Sequence, residues 1–153
     1  MGEKRSAIIG DIFPKFGIDA NVLIDLILYS KAKEYFKQKG FSFPDKSLCT
    51  LPNILGEVKG VLINRYEYSK EKADTEIDNL LEEFSIEKLP QLVIEKDSKT
   101  IEEIGDKYQL NKEDIPIIYQ FWKLKVKKIL VRDNAFEQTC KELNISIEKW
   151  PKF

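Results

Sequence analysis

Phe16-Gly17-Ile18-Asp19-Ala20-Asn21-Val22-Leu23-Ile24 is the stretch on which the reading of this chain turns. A short apolar run ends in an acid, an amide stands two residues later, and a longer apolar run from Val22 to Leu28 takes over. A strand that is apolar on both faces belongs in a parallel sheet covered on each side. The uninterrupted run behind it reads as a helix buried on most sides. The pattern therefore predicts a strand over Lys15–Asp19 and a helix over Asn21–Gln38, stopped by Gly40. Open α/β sheets bind ligands at the carboxyl ends of their strands, and Asp19 is predicted to stand there.

Working outward, the same alternation recurs. Ser47–Thr50 reads as a second strand, with Thr50 as the cap of a helix over 52–68 whose first turn holds Pro52. Leu55, Val58, Leu62 and Tyr66 supply its helical spacing. A further helix is predicted over 70–86, and Pro90 breaks the chain before a third strand at Leu92-Val93-Ile94. Ile101, Ile104 and Tyr108 mark a short helix, and Ile115, Ile118, Tyr119, Trp122 and Val126 a stronger one. Ile129-Leu130-Val131 is a buried strand by composition, followed by a helix lined by Phe136, Cys140 and Leu143 and an edge strand near Ile145–Ile147. Strands alternating with helices imply crossovers, a parallel sheet and helices on both faces: a three-layer α/β/α sandwich.

The 153 residues suit a single domain over 1–153, with 1–14 as a loosely held lead-in ending at Pro14. An apolar share of 42% and a charged share of 33% are those of a soluble globular protein. Lys and Arg number 25 against 26 Asp and Glu, so bulk charge does not draw a polyanion and any such partner must be held locally. Histidine is absent, which excludes a Ser-His-Asp or Cys-His pair and a histidine-bound zinc. Cys49 and Cys140 are too few for structural zinc and read as reduced, buried thiols. No apolar run reaches the roughly 20 residues of a membrane span. The charged start Met1–Ser6 lacks the apolar centre of a signal peptide, so cytoplasmic residence and no membrane partner are expected.

Four acids fall where the predicted topology gathers strand ends and helix starts: Asp19, Glu57, Asp114 and Asp133. Packed carboxylates repel, and a divalent cation relieves that repulsion. Oxygen ligands of this kind favour Mg²⁺ or Mn²⁺. Such an ion lowers the pKa of a bound water and stabilises charge on a phosphoryl oxygen, and two ions roughly 4 Å apart would clamp the attacking and leaving oxygens. Phosphodiester hydrolysis is the chemistry most natural to the set.

Taken together, Ile18–Ile24, the helix around Leu55-Gly56-Glu57-Val58, Asp114 with its downstream helix, and Leu130-Val131-Arg132-Asp133-Asn134-Ala135-Phe136 resemble the PIN-domain family, over residues 16 to 148. The resemblance implies a parallel sheet in the order 3-2-1-4-5 and a metal-dependent endoribonuclease acting on RNA. It points either to the toxin of a VapC-like toxin–antitoxin pair, with an antitoxin protein as partner, or to an RNA-processing nuclease, and a homodimer fits the family. By the same resemblance Asp19, Glu57, Asp114 and Asp133 are the catalytic, metal-binding acids, Asn21 is the small polar residue that orders the site, and the helices over 52–68 and 70–86 form a hairpin that meets antitoxin or RNA. Two departures stand out. Val131 replaces the Thr or Ser common two residues before the fourth acid, and Pro116 disfavours helical geometry at Ile115, which would move Asp114 and leave Glu113 in its place.

Plainer uses exist for each residue. Asp19, Asp114 and Asp133 can cap helices or complement their dipoles, and Glu57 can be a surface residue. Arg132, beside Asp133, is the first candidate for substrate contact, with Lys59 behind it; the lysines at 123, 125, 127 and 128 can equally solvate a surface. Tyr66, Tyr68 and Phe84 suit a partner surface or the core. The alternative function is a catalytically inactive PIN-like module that binds RNA or protein, and Val131 is its support. An aspartyl-phosphate enzyme would need a second Asp where Asn21 stands.

Overall fold

The computed structural model describes residues 15–41, 47–91, 98–110, 114–132 and 136–153. Its strands are β1 (Lys15–Ile18), β2 (Ser47–Thr50), β3 (Glu87–Lys88), β4 (Lys128–Val131) and β5 (Ser146–Lys149). They form a five-stranded sheet in the order β3-β2-β1-β4-β5, and every pairing is parallel. The helices are α1 (Ala20–Leu28), α2 (Ser30–Gln38), α3 (Pro52–Asn64), α4 (Lys70–Glu83), α5 (Ser98–Lys107), α6 (Asp114–Lys123) and α7 (Glu137–Glu142). The expected α/β class and strand order are those of the protein.

Strand β1 shows why both faces must be covered. Phe16 points to one side, where its ring lies 5.7 Å from Phe41, itself 5.5 Å from Phe36 of α2. Gly17 points to the other, where a Cβ would stand 2.8 Å from the ring of Phe121 in α6. That contact requires a residue without a side chain. Ile18, Ile129 and Leu130 are fully buried, as strands between two helical layers should be.

Three elements differ from their expected form. The helix predicted over Asn21–Gln38 is two, because Tyr29 is extended at φ −126° and ψ 121°. The bend falls where the apolar segment gives way to an amphipathic one that buries only Ala32 and Phe36. Tyr29 also bonds to the hydroxyl of Tyr66, which raises its pKa, so the bend is tied to the end of α3. Gly40, at φ 77°, ends α2 as expected, and the Phe41 N–H returns to the Phe36 carbonyl.

Thr50 does not cap α3; Leu51 is the N-cap residue, and Thr50 Oγ1 donates instead to the Ile18 carbonyl at 3.1 Å. The third strand precedes Pro90: Glu87 pairs with Cys49 and Lys88 with Thr50. Leu92–Ile94, where it was expected, lies outside the described residues. Both residues of β3 are exposed and charged, as suits an edge strand, so apolar periodicity could not reveal it. Buried Ile86 and Leu89 flank it and hold it to the core.

Helices α3 and α4 pack together as a hairpin, and both also contact α1. Ser69 starts α4 by accepting the Lys72 N–H at 3.0 Å. Phe84 belongs to the core, 4.9 Å from Phe36, whereas Tyr66 is 37% exposed. Among the described residues, no helix is long and apolar enough to cross a membrane.

Candidate active site

Asp19 follows the last residue of β1 directly. Its N–H donates to the Leu130 carbonyl at 3.2 Å, and its own carbonyl accepts from Leu23 at 3.3 Å, so the backbone passes from sheet to helix within one residue. It occupies the N-cap position of α1, yet its side chain makes no capping bond. The carboxylate is therefore not explained as a cap, and at 9% exposure it sits at the carboxyl edge of the sheet. Asn21 lies half-buried in the first turn of the same helix.

Glu57 and Asp114 come from distant parts of the chain and meet in one cleft. It has a volume of about 500 Å³ and is lined by Asn53, Glu57, Asp114, Pro116 and Ile117. Glu57 stands one helical turn beyond Asn53 on α3 and is exposed. Asp114 is the first residue of α6, where a negative charge also complements the helix dipole. Pro116 does not displace it. The proline sits in the first turn, where its missing N–H has no intrahelical role, and α6 runs through it unbroken. Glu113, the substitute ligand considered from sequence, lies outside the described residues.

The two helices are joined by a side chain that sequence reasoning did not single out. Gln120 of α6 is 3% exposed, and its Nε2 donates both to Asn53 Oδ1 at 3.1 Å and to the Pro116 carbonyl at 3.2 Å. This amide pins the turn that bears Asp114 to the turn before Glu57. A buried glutamine in an otherwise apolar helical stripe was the available signal, since such a group must find partners.

Asp133, the fourth expected acid, lies outside the described residues. Among the described residues, no group of three or more His, Cys, Asp or Glu side chains is gathered as an ion site. Mg²⁺ commonly uses only one or two carboxylates, completing its shell with water and substrate oxygens. The pair in the cleft is of that kind, and its all-oxygen character fits Mg²⁺ or Mn²⁺.

Arg132 is engaged in the fold. Its Nη2 pairs with Asp25 Oδ2, which also accepts from Trp150 Nε1 at 2.8 Å. Asp25 is 4% exposed, so a single acid inside an apolar helix is satisfied by a cation and an indole. The expectation that Arg132 is chiefly a substrate contact omitted this partner. Lys59 forms a surface pair with Asp74 of α4 at 2.9 Å. Val131 is buried, and its carbonyl accepts the Trp150 N–H at 2.8 Å.

Cys49 and Cys140 are both free and buried. Burial pushes each thiol up to about 12, so neither is a nucleophile at neutral pH.

Neither a protein-family model nor a curated protein matches the chain. A solved structure does: VapBC2 from Rickettsia felis bound to a DNA fragment from their promoter. The likeness has a TM-score of 0.64 at 11% identity, covering 90% of this chain and 99% of that one. At this identity the shared property is the fold, and the fold is PIN-like.

Proposed function

We propose that this chain is a metal-dependent endoribonuclease that hydrolyses RNA phosphodiester bonds. The observation that carries the reading is the meeting of Glu57 and Asp114 in one cleft of a PIN-like fold. Asp19 at the carboxyl end of β1, and Asp133 just past β4 in sequence, complete the proposed acid set. Asp19, Glu57, Asp114 and Asp133 would hold Mg²⁺ or Mn²⁺. That ion would supply an acidified water and positive charge for the phosphoryl oxygen.

The chain's own side chains have three tasks. The carboxylates, on separate elements, would hold the cation. The Gln120 amide holds α3 and α6 so that Glu57 and Asp114 keep their relation. Asn21, in the first turn of α1, offers a small polar group beside Asp19. Lys59 and Arg132 stand as candidate contacts to the RNA backbone, each having first to loosen or share its present acid.

The VapBC2 likeness supports a finer proposal, that the chain acts as the toxin of a pair and is held by an antitoxin protein. A gene for a small partner beside this one would be the first sign. The second reading, an inactive RNA- or protein-binding module, draws on Val131, which puts an apolar side chain where a hydroxyl would serve the acids.

The test is incubation of the folded protein with structured RNA in Mn²⁺, in Mg²⁺ and with chelator, beside Asp19→Asn. Discrete fragments that vanish with chelator and with the substitution are expected. Unchanged turnover by Asp19→Asn would remove the proposed site, and RNA left intact by the folded wild type in both metals would favour the inactive module.

A further inference from the structure

The amide of Gln120 determines which end of Asn53 is turned away from it. A carbonyl oxygen only accepts, so the group 3.2 Å from the Pro116 carbonyl must be Nε2 and not Oε1. That same nitrogen lies 3.1 Å from Asn53, which must therefore present Oδ1 to it. The reverse orientation of either amide would set two acceptors, or two donors, against each other. Since an amide is planar, the Nδ2 group of Asn53 is directed away from Gln120. Asn53 itself is exposed and lines the cleft with Glu57 and Asp114.

We infer that Asn53 is a substrate-binding residue whose Nδ2 donates a hydrogen bond to a phosphoryl oxygen of the RNA backbone, with Gln120 as the positioning residue that fixes its polarity. The inference rests on the nuclease reading for its substrate class. Its physical content is simple. The two carboxylates accept and cannot by themselves grip a phosphate, whereas Asn53 adds a neutral donor at the same cleft, one helical turn from Glu57. A donor to a charged oxygen is among the stronger hydrogen bonds. The competing use of Nδ2 is to hold the Glu57 carboxylate itself, which would make Asn53 a positioning residue for the metal.

Two substitutions separate these uses. Asn53→Asp keeps an acceptor for Gln120 but removes the donor and adds a charge. Asn53→Ala removes the donor without adding one. The affinity of each protein for a short fluorescent single-stranded RNA is measured with chelator present, and Mn²⁺ affinity is measured separately by calorimetry. Circular dichroism melts confirm that the variants are folded. Both are expected to bind RNA about tenfold or more weakly than the wild type, while Asn53→Ala keeps its Mn²⁺ affinity. Loss in Asn53→Asp alone would reflect added charge and overturn the contact. So would wild-type RNA affinity in both, loss of Mn²⁺ affinity without loss of RNA affinity, or a wild type that does not bind RNA. A wild type that binds RNA and cleaves none in any metal would remove the nuclease reading, and the variants would still decide the Asn53 contact.

Discussion

Asp25 and Glu57 are both acids on a helix that directly follows a strand of the sheet, and their surroundings are opposite. Asp25 is 4% exposed, paired with Arg132 and bonded to the Trp150 indole. Glu57 is exposed and shares an open cleft with a second acid, Asp114. The first arrangement closes a charge within the fold, joining α1 to the segments that follow β4 and β5. The second sets two acids from distant helices on the lining of one cleft, where water and ions can reach them. An open cleft lined by two acids can receive a ligand, which is why it is read as the working site.

The contrast makes graded predictions. Glu57→Gln should lower metal-dependent RNA cleavage by about a thousandfold. Its stability by urea denaturation should stay within about 0.5 kcal/mol of the wild type, because Glu57 is an exposed helix residue outside the core. A matching loss of stability would instead place Glu57 with the structural acids. Asp25→Ala should do the opposite, costing about 3 kcal/mol by urea denaturation, since Arg132 and the Trp150 N–H would lose their shared acceptor. An effect below about 1 kcal/mol would show that Asp25 does not hold the fold.

Trp150→Phe keeps an aromatic ring against Tyr35, now 5.3 Å away, and removes only the indole donor and some volume. About 1 kcal/mol of stability should be lost in the same titration. Lys59→Ala, which breaks the exposed pair with Asp74, should change stability by no more than about 0.5 kcal/mol. A larger change would mean that the α3–α4 hairpin depends on that pair.

Much of this fold was legible because apolar periodicity reports burial. Phe16 to Ile18, Leu48 to Thr50 and Ile129 to Val131 announce strands covered on both sides, and each is present with nearly the expected bounds. Where burial is not the determinant, the pattern is silent. Glu87 and Lys88 form a strand through backbone pairing at an exposed edge. The bend at Tyr29 is equally hidden, because apolar content continues on one side of it and helix propensity on both.

The candidate site divides in the same way. Glu57 and Asp114 stand among four acids that the sequence places toward one edge of the sheet, and these two line a common cleft. The amide link from Gln120 to Asn53 spans two helices far apart in sequence, and nothing local in either one names the other. Asp25 carried a readable warning, an acid amid Val22, Leu23, Ile24 and Leu26, whose burial demanded a partner. That its partner is Arg132 follows only from the parallel packing of β1 and β4.

Calorimetric titration of Mn²⁺ into the wild type and into a Glu57→Gln/Asp114→Asn double variant tests the central claim most directly. Saturable binding by the wild type, weakened at least about tenfold in the folded double variant, is the predicted result. Equal binding by both proteins, or none by the wild type, would contradict the assignment of the cleft as the metal site.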